Sequence, residues 1–262
     1  MIVAVVLPPP DRAVRRALLD AVAAQTRAPD QVRLLEQGSR GRAQAFAQAL
    51  SADAAGDADW WWLLDGAAIP DPDALERLVE PLRSLGPLPS PILLTSKVVR
   101  PGGSLDPERA PWPRLLQKEV SLDACQRHML SVRAARHGSL LVARRALHAH
   151  GPPRADYVDD SEDLEWTARM LRDGESGYLV PASVAVRAGR SATSAERAVH
   201  RRRDRGNRLN MLRGSAWDGE EKLWFGFLLA QDIARDLRSD PRPTSVWALV
   251  KALGDGMRRR AR

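Results

Sequence analysis

Three groups of residues in this chain could do chemistry. The first is a single carboxylate, Asp65, which closes the short apolar run Trp60 to Leu64 and precedes Gly66 and Pro70. A carboxylate at the carboxyl end of a buried strand, just ahead of a loop, sits where open α/β sheets bind ligands. An aspartate there is equally suited to starting a turn. The second group is acidic. Asp159, Asp160, Glu162, Asp163 and Glu165 place five carboxylates within seven residues, ahead of a helical face of Leu164, Ala168 and Leu171. Carboxylates also favour the positive end of a helix dipole, so the same run reads as an acidic helix N-terminus. The third group is basic. Glu196 to Arg213 carries seven arginines, and Met257 to Arg262 four more. Such a segment reads as a solvated helix face, a diphosphate clamp or a surface for anionic lipid. The five histidines (His128, His137, His148, His150 and His200) show no metal-binding spacing, and the one cysteine, Cys125, excludes an internal disulfide framework.

The elements that must position these groups are read from hydrophobic periodicity. Ile2 to Leu7 is a continuous apolar run, the pattern of a parallel strand buried on both faces. Pro8, Pro9 and Pro10 end it, and Asp11 caps a helix with Val14, Ala17, Leu18, Ala21 and Val22 on one side. Val32 to Glu36 reads as a second strand ending in a carboxylate, Gly38 to Gly41 as a turn, and Arg42 to Leu50 as a helix burying Ala43, Phe46, Ala47 and Leu50. After the Trp60–Leu64 strand, Asp71 is placed to cap a helix with Pro72 at its first position and Leu75, Leu78, Val79 and Leu82 inward. Strand and helix have then alternated three times, the signature of a parallel sheet with right-handed crossovers. Glu36 and Asp65 should therefore face one edge of that sheet. Further strands are expected at Ile92 to Val99 and Ser139 to Ala143, with a short helix at Arg144 to His150. Pro101 to Pro113 reads as a long loop, either a lid or a disordered insert. Leu122 to Arg136 is ambiguous; Leu179 to Pro181 and Ser183 to Val186 look like short extended pieces; and Glu220–Leu237 and Thr244–Arg259 look helical.

With 262 residues the chain is long enough for one large domain or two small ones. Its apolar fraction of 44% and charged fraction of 28% are those of a soluble globular protein. A net charge of +7 and a pI of about 10.4 favour anionic partners. No nucleic-acid-binding module is recognisable, so nucleic acid is not the expected partner. The apolar N-terminus lacks a basic flank and breaks at Pro8, which makes it a strand and not a signal peptide. No run approaches the roughly 18 apolar residues of a membrane span.

These pieces together resemble the inverting family 2 glycosyltransferases of GT-A type, over roughly residues 1 to 213. The N-terminal strand leads into Arg15–Thr26 and then Pro29-Asp30-Gln31-Val32. Trp62–Leu78 looks like the family's metal-site strand and helix, Gly138–Leu147 like its central strand, Glu162–Arg169 like its catalytic-base motif, and Gly177–Pro181 like the segment after that motif. The pattern is most similar to bacterial rhamnosyl- or galactofuranosyl-type transferases. The resemblance implies an α/β fold with a mostly parallel central sheet flanked by helices (residues 1–213) and a C-terminal helical extension (residues 214–262) that packs on it or docks on a membrane or partner. It implies transfer of a sugar from a nucleotide-diphosphate donor to a hydroxyl of a glycan or lipid-linked acceptor in a cell-envelope polysaccharide pathway. The setting would be the cytoplasm, at the inner face of the plasma membrane. Asp163 would be the general base with Glu162 beside it, the pair raising one another's pKa. Leu7, Pro8, Glu36, Gly38, Asp65 and Gly138 would line the donor site. Trp166, Arg169, Arg201 and Arg202 would meet diphosphate or acceptor.

The chain departs from the family at donor and metal positions. The acidic residues that should come after Asp65 are Gly66 and Ala67, leaving Asp65 alone as a ligand for Mn²⁺ or Mg²⁺. An Asp-Asn pair is replaced by Glu36-Gln37, the first loop by three prolines, a Ser-Thr-Asp-Gly turn by Ser39-Arg40-Gly41-Arg42, and a late histidine by Arg187. Two readings are then open: a metal-poor enzyme in which Arg40, Arg42 or Arg201–Arg203 takes the diphosphate, or a non-catalytic homologue that keeps the fold for binding or assembly.

Overall fold

The computed structural model describes residues 1–9, 11–36, 42–53, 57–66, 68–114, 118–154, 162–188, 209 and 211–239. In chain order its elements are β1 (Ile2–Val6), α1 (Arg12–Ala23), β2 (Gln31–Leu34), α2 (Arg42–Asp53), β3 (Trp60–Leu64), β4 (Ala68–Pro70), α3 (Ala74–Val79), β5 (Pro91–Val99), β6 (Trp112–Pro113), α4 (Lys118–Gln126), β7 (Leu130–Ala134), β8 (Leu140–Ala143), α5 (Arg144–His150), α6 (Glu162–Met170), β9 (Ser176–Arg187) and α7 (Gly219–Ser239). Every residue of β1 is buried because both its faces are covered. Side chains alternate across a strand. Val3 and Val5, with Trp61, Leu63, Leu140 and Val142, pack against Phe46 and Leu50 of α2, Leu147 of α5 and Trp166 and Met170 of α6. Ala4 and Val6, with Trp62, Leu64 and Leu141, pack against Leu18 and Val22 of α1, Leu75 and Leu78 of α3 and Ala124 of α4. A one-residue slip of β3 would exchange Trp61 and Trp62 between these layers, so burial fixes the register.

The strands lie in the order β2-β1-β3-β8-β5-β9-β7-β6, with β4 added along β9. The β2-β1-β3 half is parallel, as the alternation predicts, and β5 runs parallel to β9. The later strands β8, β7, β6 and β4 join antiparallel, so the sheet is mixed. β3 and β8 are neighbours of opposite direction, and the chain leaves the parallel half there.

Several boundaries differ from the sequence expectation for physical reasons. Helix α3 begins at Ala74, not Pro72: the Asp71 amide still donates to the Val184 carbonyl at 3.0 Å, so the chain is held along β9 at that point. The amide of Leu75 is capped instead by the Gln25 side-chain oxygen at 3.0 Å. Strand β9 is one element through Pro181, because its register with β5 jumps from Val180 to Val184 and the proline sits in that bulge, where no amide is needed. Strand β2 stops at Leu34, leaving Glu36 exposed beyond it. The 101–113 segment is an ordered turn: Gly102 and Gly103 adopt positive φ, Leu105 bridges back to Val99, and Trp112–Pro113 forms β6. The ambiguous stretch consists of the end of α4 and β7.

Trp217 and Met211 pack with Ala134, Leu164 and Ala168, and Trp112 and Phe225 complete the aromatic cluster. Trp224, by contrast, is exposed on α7. No helix among the described residues is long and apolar enough to cross a membrane. Gly38, Asp159, Asp160, Arg201, Arg202 and the expected helix Thr244–Arg259 lie outside the described residues.

Candidate functional site

The site forms where β3 ends. Gly66, at φ 72°, turns the chain directly after Asp65, and a Cβ there would lie 2.6 Å from Cδ of Pro9. The proline segment after β1 and the turn after β3 are therefore in contact, which sets Leu7 and Pro8, both buried, beside Asp65. Of the other expected donor-site residues, Gly138 lies between the site and β8. Its φ of 150° favours glycine, and it lets the chain present the His137 backbone on one side and start β8 on the other. Glu36 is exposed beyond β2, with no hydrogen bond to this cluster among the described residues.

Glu162 and Asp163 open α6, and both are buried. Asp163 Oδ1 accepts from the Leu164 amide at 2.7 Å and Oδ2 from the His137 amide at 2.8 Å. Thr167, one turn on, donates to the Asp163 carbonyl at 2.7 Å and accepts from the Ala135 amide at 2.9 Å, tying α6 to the end of β7. This is how a carboxylate on α6 comes to face one at the end of β3.

The group between them is a guanidinium. Arg42, the first residue of α2, donates from Nε to Glu162 Oε1 at 2.6 Å and from Nη1 to Asp65 Oδ2 at 3.0 Å, and its Nη2 lies 3.8 Å from Asp163 Oδ2. Arg109 donates from Nη1 to the same Asp65 oxygen and to the His137 carbonyl, both at 2.9 Å. Arg136 Nη1 lies 3.9 Å from Asp163 Oδ1. Arg109 arrives through the 101–113 turn, where its amide bonds the Asp106 carbonyl and buried Asp106 is held by Arg187 at 3.1 Å. The Pro/Gly-rich character of that segment, which suits a binding loop, is the only sequence signal for Arg109.

Electrostatics overturn one expectation. Burial alone would push the Asp163 carboxyl up, but Arg136, the His137 ring, Arg42 and the His137 amide together outweigh it and hold it below its ordinary value. A neighbouring glutamate was expected to raise it; the intervening arginines reverse the sign. His137 is fully buried, stacked on Phe46 with ring centroids 4.7 Å apart. Burial, and then the Arg42 charge, lower its pKa, so it is held neutral. Both its ring nitrogens lack a hydrogen-bond partner among the described residues, and Nε2 lies 3.7 Å from Glu162 Oε1. Nothing in the sequence marks it.

Two expected contact residues have their polar atoms committed to the protein. Trp166 is buried and its indole N–H donates to the Gly151 carbonyl at 2.9 Å. Arg169 bonds Glu165 at 3.0 Å and the carbonyls of His150 and Pro152. They fix α6 against the end of α5.

A divalent ion needs several oxygens converging at about 2.0–2.6 Å. Among the described residues no three histidine, cysteine or acidic side chains converge so as to hold one. The facing oxygens of Asp65 and Glu162 are instead bonded to arginine. The described residues do not form a metal centre.

No protein-family model matches the chain, and no curated protein matches it. Solved structures do. GalNAc-T7, crystallised with UDP, GalNAc and Mn²⁺, superposes with a TM-score of 0.53 at 14% identity, covering 91% of this chain and 57% of that one. The mannosyltransferase PcManGT from Pyrobaculum calidifontis, in complex with GDP-Man and Mn²⁺, superposes at 0.56 and 14% identity, covering 97% of this chain and 73% of that one. The chain thus spans little more than half the length of GalNAc-T7. At such identity the likeness is one of architecture: this protein carries the GT-A fold.

Proposed function

We propose that the protein transfers a sugar from a nucleoside-diphosphate donor to an acceptor hydroxyl, inverting the anomeric carbon. The observation that carries this reading is the meeting of Asp65, Glu162 and Asp163 around one guanidinium at the carboxyl end of β3, on a fold shared with proteins solved with UDP or GDP-Man. Sheets of this kind bind ligands at that edge.

In this reading the donor lies along the ends of β1 and β2, with Leu7 and Pro8 against the base, Glu36 and Gly38 near the nucleoside, Asp65 toward the ribose and Gly138 beneath the sugar. The acceptor oxygen attacks the anomeric carbon as the bond to the diphosphate oxygen breaks. The hydroxyl proton passes to Asp163, and the nucleoside diphosphate leaves with the bonding pair. Asp163 is held ionised, the form a base needs, and each oxygen taking one amide keeps a further lone pair. Glu162 keeps Arg42 in place; Trp166 and Arg169 act by fixing α6. Arg201 and Arg202 are assigned to the diphosphate, whose charge needs cations as it develops. The acceptor is a glycan or lipid-linked hydroxyl at the cytoplasmic membrane face, met by the basic C-terminal segment and the exposed Trp224 and Phe227. In family terms the reading is a family 2 transferase of rhamnosyl or galactofuranosyl type.

The test is release of nucleoside diphosphate from a panel of UDP-, GDP- and dTDP-sugars, followed by the anomeric configuration of any product. Turnover lost in Asp163→Asn, with donor binding intact, supports the assignment. Donor binding without turnover in the unaltered protein would replace it with a binding homologue.

A further inference from the structure

Three buried carboxylates need a counter-charge, and in GalNAc-T7 and PcManGT a Mn²⁺ ion accompanies the nucleotide. We infer that in this protein the cation of the site is the Arg42 guanidinium itself, so that a nucleoside diphosphate binds without a divalent metal. The inference rests on the transferase reading for its ligand and on the geometry of the cluster for its cation.

Among the described residues, Asp65, Glu162 and Asp163 stand against Arg42, Arg109 and Arg136, three of each sign, all within ion-pair distance. A divalent ion would have to enter beside three fixed positive groups. It would also have to take oxygens that are in use. The bonded oxygen of Asp65 serves two arginines, that of Glu162 lies 2.6 Å from Arg42 Nε, and both oxygens of Asp163 hold backbone amides. The two residues directly after Asp65, Gly66 and Ala67, bring no side-chain oxygen. A guanidinium differs from a metal ion in that it is planar, always charged and tethered to a helix end. Arg42, Arg109 and Arg136 keep 14, 16 and 15% of their side chains exposed while the carboxylates keep at most 1%, so the solvent side of the cluster is the cationic one, and Arg42 is the arginine that reaches all three carboxylates. A metal ion dissociates with its nucleotide; Arg42 remains.

Two measurements test this. The first uses the protein alone: the six-line paramagnetic resonance signal of free Mn²⁺ is followed as protein is added in excess. The signal should persist unchanged. Its loss, reversed in Asp65→Asn, would overturn the inference. The second is calorimetric titration with UDP and GDP in EDTA and again with Mn²⁺. Affinities should agree within about twofold, Arg42→Ala should weaken binding about tenfold or more, and Arg42→Lys, which keeps the charge and the fold, should weaken it less. A tenfold gain on adding Mn²⁺, or undiminished binding by both variants, would overturn it. If neither nucleotide binds under any condition, the transferase reading falls, and the Mn²⁺ signal still decides the nature of the cation.

Discussion

Two arginines in this fold, one buried and one half-buried, are held in opposite ways. Arg133 makes a closed fork. Its Nε and Nη2 reach the two oxygens of Glu221 at 2.5 and 2.8 Å, Nη1 and Nη2 take the carbonyls of Ala168 and Ala216 at 2.6 and 2.7 Å, and the plane lies over Trp217 at 4.7 Å. One cation meets one anion, and the remaining donors meet backbone. Arg42 makes single contacts to carboxylates from two distant segments and an ion pair with a third, and two of these are shared with other arginines. A one-to-one bidentate pair locks two elements together. A shared, single-point network gathers several charges at one place. The first arrangement joins two elements; the second concentrates charge at the carboxyl end of β3.

The sharpest way to break this comparison is to remove one member of each. Asp163→Asn should lower transfer by about 10²–10⁴-fold, the usual worth of a general base, with a smaller loss of thermal stability of about 1–3 kcal/mol, because the new NH2 group cannot accept and one of the two backbone amides that Asp163 holds loses its acceptor. Steady-state release of nucleoside diphosphate alongside a melting curve reads both. Arg133→Ala should do the reverse. It leaves Glu221 without its buried partner, which costs about 3–5 kcal/mol. For a chain of this size that is a fall in melting temperature on the order of 10 °C. Below its melting point the variant should retain turnover. Loss of activity at full stability would place Arg133 in the site and erase the distinction.

The sequence is most informative where local pattern and burial agree. β1, α1 and β3 read directly because continuous apolar runs and a capping aspartate need no tertiary knowledge; Asp11 does accept from the amides of Ala13 and Val14. Asp65 and the Glu162–Asp163 pair are legible as carboxylates at element ends. Their common partner is not. Arg42 is one arginine among several candidates, Arg109 sits in a Pro/Gly-rich loop and Arg136 in an ambiguous stretch, and only the crossing of β3, β7 and α6 brings them together. His137 has no signal, since a histidine in a core is defined by what packs on it. The start of α3 fails for a related reason: Asp71 and Pro72 form a good local start, but a long-range bond from Asp71 to β9 overrides it.

The same cluster should be visible in acid stability. His137 has a folded pKa below its unfolded value of about 6.5. Its contribution is therefore complete above that pH and is lost as pH falls below it, because the unfolded chain then binds the proton. Asp163 shifts in the same direction, but its contribution is lost only below about pH 3.9. Between pH 7 and 5 the decline should belong to the histidine. Melting curves across that range should fall in the unaltered protein and flatten in His137→Phe, whatever the repacking costs at pH 7. An unchanged slope would mean that the imidazole is protonated in the folded state and belongs to the charge network.

The smallest expected effect comes from the helix that Arg133 anchors. Trp217 is 3% exposed, whereas Leu223, Trp224 and Phe227 are 78, 56 and 53% exposed. Trp217→Ala removes the platform under Arg133 and should cost about 3–5 kcal/mol. Trp224→Ser should shift stability by no more than about 0.5 kcal/mol, since its ring already meets water in the folded state and loses only its stack on Phe227. Chemical denaturation of both variants measures the contrast. If Trp224→Ser cost as much as Trp217→Ala, this face of α7 would be covered by residues beyond those described, and α7 would be an internal layer. If the change is small, the stacked pair is spare apolar surface on a helix whose other side is fixed by the Arg133–Glu221 pair and by Phe225 in the aromatic cluster. Vesicles of anionic lipid can then be tested against it with the fold unaltered.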